Sequence, residues 1–285
     1  MTLERLTEIE NEIFTIVDKA LDEIEQNNFA NYVLLLIRAD YDERIAKSKT
    51  CSLSPYIIEN QEDHYMDINR RGFMLEYLQK HKSLPTSTEN KETEEYSEYD
   101  INIQMMIYSH TWEAHLFLKT LERIAHISEK NKYKWQSKIS YASKTNFIDH
   151  HILTPFQKSN HFLYNILSYC YNNELRNSFA HSDYYIDIDK QHIYFHDKKR
   201  TNLVITFKEW EDIFFKSILL DYHLSYHLNN RRNDFIEKYG TNAIQLTRPL
   251  TTNANKEQIF NVIPEYKEND ARKVLFRFLT REDLY

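Results

Sequence analysis

The sequence predicts an all-α protein with a small β appendage, on three observations. Glycine and proline are scarce, with 2 and 5 in 285 residues, which leaves few breakers and favours long helices over a turn-rich β architecture. Apolar residues recur at three- and four-residue spacing through most of the chain, the period of an amphipathic helix. Strict alternation is confined to short runs after residue 183, where it reads as strand.

The elements follow in order. Leu6, Ile9, Ile13, Ile16 and Leu21 predict a helix over 3–27, with Asn27-Asn28 as the break. A second helix is predicted over Phe29–Lys47, and its unbroken run Tyr32–Ile37 predicts cover on both sides. Ser54-Pro55 offers a cap and a first-turn proline for a third helix reaching about Lys80. From His81 to Asp100 the chain turns polar and then acidic, which reads as a solvated linker rather than a regulatory flap. Met105, Ile107, Trp112, Leu116, Phe117, Leu121 and Ile124 predict a broad apolar face on a helix over Tyr99–Lys130.

Thr154-Pro155-Phe156-Gln157 matches a capping box with proline at the first helical position. The helix it opens is predicted to reach Ala180, a span of roughly 39 Å at 1.5 Å per residue. Its row Phe162, Ile166, Cys170 continues by helical steps to Asn173, Asn177 and His181, so an apolar face turns polar. Tyr184–Asp189, His192–His196 and Asn202–Thr206 alternate as three strands. Thr206-Phe207-Lys208-Glu209 is a second capping box, opening a helix that ends near Lys238, before Gly240. Trp210, Phe214, Ile218 and Tyr222 should face its core. The last segment holds one strand-like stretch, Lys273–Leu279. The expected organisation is an N-terminal helical region with its acidic linker at 1–95, a core at 96–240 and a tail at 241–285.

Composition narrows the function. The net charge of −7 has the wrong sign for a general nucleic-acid coat, so any such binding needs local basic patches. Two cysteines, Cys51 and Cys170, make neither a disulfide framework nor a zinc cluster. The N-terminus lacks an apolar signal core and no run reaches membrane length, so no membrane association and a cytoplasmic location are expected. His223 and His227 are four apart, a spacing able to bind zinc, but no third ligand is evident, and exposed or internally bonded histidines are the better reading. No metal and no cofactor are expected.

The stretch that carries chemistry runs N-N-E-L-R-N-S-F-A-H-S-D-Y-Y over Asn172–Tyr185. Arg176 keeps its charge and holds phosphate oxygens in a fork, while an imidazole such as that of His181 exchanges a proton near neutrality. Together these supply charge stabilisation and proton transfer, the two needs of RNA cleavage without a metal. The plain alternative is a cation and a histidine offsetting a helix dipole. Asn177 and His181 are helical neighbours at i and i+4. Arg176 and His181 lie about 140° apart around an ideal helix, so one copy does not converge them on one phosphate. Loosening of the last turn would help, and a second copy across a two-fold axis would help more.

Arg176-Asn177-Ser178-Phe179-Ala180-His181 resembles the signature of the HEPN superfamily, the higher-eukaryote and prokaryote nucleotide-binding domains: an arginine, often a polar residue next, then a histidine four to six residues on. The resemblance implies a HEPN-like helical bundle, here with a β-hairpin or three-strand appendage after the motif helix. It also implies dimerisation and, as in many members, metal-independent ribonuclease activity. Several members are toxins or defence effectors, so an antitoxin or defence-system partner is implied as well. By the same resemblance Arg176 binds the scissile phosphate, His181 is the general acid or base, and Asn177 orients either. HEPN proteins often place a polar or acidic residue on a helix facing the motif, which makes Glu113 a candidate support, with an exposed acid as the alternative. Some HEPN toxins carry a tyrosine two residues after the histidine, where a partner nucleotidyltransferase modifies it. Asp183 stands there instead.

Two basic stretches are candidate RNA contacts. Lys130–Lys144 interleaves Lys132, Lys134 and Lys138 with Tyr133, Trp135 and Tyr141, so lysines could track phosphates while rings stack on bases. An aromatic-anchored loop explains it equally well. Lys198-Lys199-Arg200 forms a basic turn between two predicted strands, suited to a substrate backbone or to solubility alone. The expected function is an endoribonuclease leaving a 2′,3′-cyclic phosphate. The alternative is a non-catalytic HEPN module that binds RNA or nucleotide within a regulatory or defence complex.

Overall fold

The protein is described by a computed structural model covering residues 2–48, 53–59, 65–82, 97–140, 144–196, 202–250, 253–268 and 273–279. Among the described residues it is mostly helical, with three small antiparallel sheets of two or three strands. In chain order the elements are α1 (Leu3–Asn27), α2 (Phe29–Leu36), β1 (Asp40–Tyr41), α3 (Glu43–Lys47), β2 (Tyr56–Ile57), α4 (Tyr65–Lys82), α5 (Glu98–Glu113) and α6 (His115–Ser128). Then come α7 (Lys144–Ile148), a π-helical segment (Asp149–Leu153), α8 (Thr154–Ser159), α9 (His161–Cys170), α10 (Asn173–His181), β3 (Tyr184–Asp187), β4 (His192–His196) and β5 (Asn202–Thr206). The chain closes with α11 (Phe207–Asn233), α12 (Phe235–Tyr239), β6 (Ile244–Leu250), β7 (Asn253–Tyr266) and β8 (Val274–Phe278).

The chain passes five times between two units. One unit gathers Met1–Asp18, His64–Leu118 and Asn160–His223; the other gathers Lys19–Asp63, Lys119–Ser159 and Leu224–Tyr285. The division expected from composition was linear, at residues 95 and 240. It could not register helices that run through both units, because a helix pattern carries no mark of which core covers it.

The first unit holds the motif. Its core centres on α5, where buried Tyr108 and Trp112 meet Trp210 of α11 and Tyr171. Polar atoms there are partnered: Trp112 Nε1 donates to Ser217 Oγ at 3.3 Å and Trp210 Nε1 to Gln104 Oε1 at 2.8 Å. The β3-β4-β5 sheet packs Ile186, Ile193, Phe195 and Ile205 inward, as period-two alternation requires. The second capping box forms in full. Glu209 N donates to Thr206 Oγ1 at 3.2 Å, and Thr206 N donates back to Glu209 Oε2 at 2.7 Å.

The second unit is built around the run Tyr32–Ile37, buried throughout as expected, and the β6-β7-β8 sheet of the tail. Buried Trp135 meets Tyr56 and Phe260 edge-on and donates to Thr247 O at 3.2 Å. Only the β8 part of this sheet was expected, since β6 and β7 mix apolar residues with threonine, asparagine and charge.

Several expected helices are shorter than their patterns. The second stops at Leu36, because Arg38 takes φ 47° and Ala39 N bonds back to Leu34 O at 3.0 Å. Ser54-Pro55 leads into β2 rather than a helix, and α4 starts at Tyr65. The 99–130 helix breaks at Ala114, which has extended ψ 118°. The 154–180 helix divides into α8, α9 and α10, with Asn160 and Asn172 as N-caps. Its expected start is also displaced: Thr154 is helical, φ −60° and ψ −44°, within a run that begins at Lys144. The division cuts the apolar-to-polar row, and Phe162 is 71% exposed rather than packed. His223 and His227 are buried, His223 against Glu10 and Phe14. The acidic linker lies largely outside the described residues. Among the described residues no helix is long and apolar enough to cross a membrane.

Candidate functional site

Arg176, Asn177 and His181 sit on α10, a nine-residue helix with its own caps. Asn172 starts it, its side-chain oxygen accepting from Glu174 N at 2.8 Å and Leu175 N at 3.3 Å. Two amide donors left over at a helix start are thereby satisfied, worth about 1 kcal/mol. The helix ends sharply after His181. Ser182 adopts the left-handed conformation, φ 56° and ψ 32°, and Asp183 N bonds back to Ser178 O at 2.8 Å, the pattern that closes a helix at its last turn.

The joint before α10 is held from α5. The Tyr108 hydroxyl donates to Cys170 O at 3.0 Å and accepts from Asn172 N at 3.1 Å. Burial raises its pKa, so it remains a neutral hydroxyl able to do both. Burial likewise pushes the Cys170 thiol up to about 12, which keeps it inert.

Arg176 turns inward. Its Nη1 lies 3.3 Å from Glu113 Oε1 and its Nη2 donates to Asn177 Oδ1 at 3.3 Å. The Arg176 side chain is 13% exposed and that of Glu113 32%. Glu113 is the last residue of α5, and that end is itself held. Arg70 donates to Glu113 O at 3.4 Å and to Asp67 Oδ1 at 3.0 Å, while Asp67 Oδ2 accepts from His115 N at 2.8 Å. The structure therefore brings Arg176, Asn177 and Glu113 together. Asn177 and His181 are exposed, and no hydrogen bond or ion pair joins the His181 side chain to the other three among the described residues.

Three residues here lay outside the sequence reading as site positions. Tyr108 and Arg70 act across long sequence separations, and only their residue types, polar groups inside apolar patterns, could have marked them. His110, one turn before Glu113, is half-buried; burial lowers its pKa, nearby Arg70 adds to this and Glu113 opposes it.

The Lys130–Lys144 segment is anchored by its rings. Tyr133 is buried and donates from its hydroxyl to Ala39 O at 2.6 Å, and Trp135 is buried as described, so neither ring can stack on a base. This corrects the stacking expectation for those two residues. The lysines are paired: Lys132 with Glu257 at 2.6 Å, Lys134 with buried Glu122 at 2.5 Å and Lys138 with Glu43 at 2.8 Å. Lys138 and Lys47 hold the exposed Glu43 carboxyl down at about 2. Lys132 and Lys138 are exposed, where such pairs exchange readily, whereas Lys134 balances a buried charge. Tyr141, Lys198, Lys199 and Arg200 lie outside the described residues.

No family model, no curated protein and no solved structure matches the chain.

Proposed function

We propose that the protein is a metal-independent endoribonuclease of HEPN type, a toxin or anti-phage defence effector that cuts RNA to a 2′,3′-cyclic phosphate. The observation that supports this reading best is the set of the Arg176 side chain. A cation serving only the helix dipole would lie over the last carbonyls of α10. Arg176 instead reaches back toward Asn173, at 3.5 Å, and across to Glu113. Glu113 on a neighbouring helix and the Asn177 amide thus both hold the guanidinium, which suits a group that must meet a phosphate in one orientation.

In this reading the ribose 2′-oxygen attacks the adjacent phosphorus and the bond to the 5′-oxygen breaks. The 2′-hydroxyl loses its proton, the leaving oxygen gains one, and the products are a cyclic phosphate and a 5′-hydroxyl. Arg176 offsets charge on the phosphoryl oxygens. His181 moves a proton at the attacking or leaving oxygen. Asn177 orients His181 or a phosphate oxygen. The active unit is a homodimer, which supplies an arginine from one chain to the histidine of the other and a second imidazole for the second proton.

A second reading, binding of RNA or nucleotide without cleavage, is favoured by one observation: Glu113 already neutralises an arginine that is only 13% exposed. Expression of the parent and of His181→Ala separates the two. The ribonuclease reading expects growth arrest with RNA breakdown from the parent alone. Equal effects of both proteins, or tight RNA binding by the purified parent with no breakdown, would favour the second.

A further inference from the structure

The β3-β4-β5 sheet follows the motif helix directly and has two unlike faces. One packs into the first unit. The other carries Tyr185, 59% exposed, opposite Tyr194 on the neighbouring strand, their ring centroids 6.1 Å apart and their planes tilted by 34°. His192 lies along the same strand, its ring 6.3 Å from that of Tyr194, and His196 is exposed at the strand's far end. The face therefore presents two phenols and two imidazoles, with Val204, 42% exposed, opposite Tyr194 and Thr206 opposite His192 on the third strand. Its nearby carboxylate, Asp187, is paired with Lys190 at 3.1 Å.

The sheet is tied to the end of the motif helix. His196 N donates to Asp183 O at 2.9 Å, and Ser178 Oγ donates to His196 O at 3.5 Å. Ser178 lies one turn before His181 and Asp183 two residues after it. The His196 end of the ring-bearing face is thus joined to the last turn of the helix that carries His181.

We propose that this face is the base-binding platform of the site, with Tyr185 and Tyr194 stacking on unpaired bases of single-stranded RNA next to the phosphate at His181. The assignment rests on the ribonuclease reading for the choice of RNA. Three features favour bases over a protein partner: rings outnumber the exposed aliphatic side chain of this face, Val204; Tyr185 and Tyr194 form a cross-strand pair on a sheet; and the His196 end of that sheet is tied to the helix of the candidate phosphate site. Paired aromatic side chains on a sheet hold successive bases by their π-faces, with little regard to sequence. Double-stranded RNA keeps its bases stacked on one another and gains nothing here.

The test measures affinity in the full chain carrying His181→Ala, so that RNA is not cut, using a labelled single-stranded RNA oligonucleotide of mixed sequence. Tyr185→Ala and Tyr194→Ala should each weaken binding by roughly ten-fold, with the salt slope unchanged because no phosphate contact is lost. Tyr185→Phe and Tyr194→Phe should restore it, and since Tyr185 is exposed, circular dichroism should show all four variants folded. If the His181→Ala protein binds RNA but the alanine changes have no effect, the platform is overturned while the Arg176–His181 site stands. If it binds no RNA at all, both fall. If the alanine changes abolish self-association in sedimentation and leave RNA affinity intact, the face belongs to a second copy of the chain and the proposal is overturned.

Discussion

Glu113 ties Arg176 to α5 through a contact of 3.3 Å, and in the proposed function that contact serves position rather than stability. Glu113→Ala should leave the fold intact and lower cleavage by about 100-fold, the scale of a misplaced catalytic group. Glu113→Gln, which can still accept from the guanidinium, should recover part of it in the same rate assay. Tyr108 is the contrasting case. Tyr108→Phe removes the hydroxyl that serves Cys170 O and Asn172 N, leaving buried backbone groups without a partner. It should cost about 1–3 kcal/mol in urea unfolding. Lys134 has the same standing in the second unit: Lys134→Met removes the lysine that pairs with the Glu122 carboxylate, 2% exposed, and leaves it the Ser137 hydroxyl and the nearby His151 ring, which should cost about 3 kcal/mol.

At the scale of elements, the capping box that opens α11 gives a test with a sign. The Thr206 backbone N–H and then its hydroxyl hold Glu209 below the ordinary carboxylate range. A depressed folded-state pKa contributes stability that is complete above the unfolded-state value of roughly 4.3. The contribution is lost as pH falls below that value through the folded one. Thr206→Ala should therefore cost about 1 kcal/mol at neutral pH, and the gap between the two unfolding curves should narrow in acid. A gap that stayed constant from neutrality to acid would show that the Glu209 charge is not part of the cap. This box was legible because both partners are local. So were α1, the strands β3 to β5 and the helix end before Gly240, whose φ is 79°, although the single helix expected to reach it divides at Asp234 into α11 and α12. The breaks at Ala114 and Tyr171 were not, because what holds them is remote. Asp67 bonds the start of α6 from 48 residues away, and Tyr108 holds the α9–α10 joint from 64. The candidate site divides in the same manner: Arg176, Asn177 and His181 could be named from spacing, while Arg70 and Tyr108 enter only through folding.

For the whole molecule, a net charge of −7 opposes RNA, so the proposed function requires affinity from local groups, and it requires two copies only to complete the site. The mixing of defects tests the pairing. Arg176→Ala and His181→Ala should each be inactive alone, and a verified heterodimer of the two should regain part of the parent rate, since one intact Arg–His pair remains across the two-fold interface. A fully active monomer in sedimentation would contradict the arrangement. Lys132→Glu with Lys138→Glu asks whether the second unit meets RNA. Their present partners are exposed carboxylates, so loss of affinity with a flatter salt slope would place the nucleic acid there, and an unchanged slope would exclude these two lysines from its path.

The central claim is that Arg176 and His181 cleave RNA by transferring its own 2′-oxygen to phosphorus. The chemistry of the new RNA end, read by mass spectrometry after digestion in EDTA, tests it most directly. The parent should leave 2′,3′-cyclic phosphate ends and His181→Ala none. Intact RNA with the parent, cleavage only when Mg²⁺ is restored, or equal cleavage by His181→Ala would contradict it.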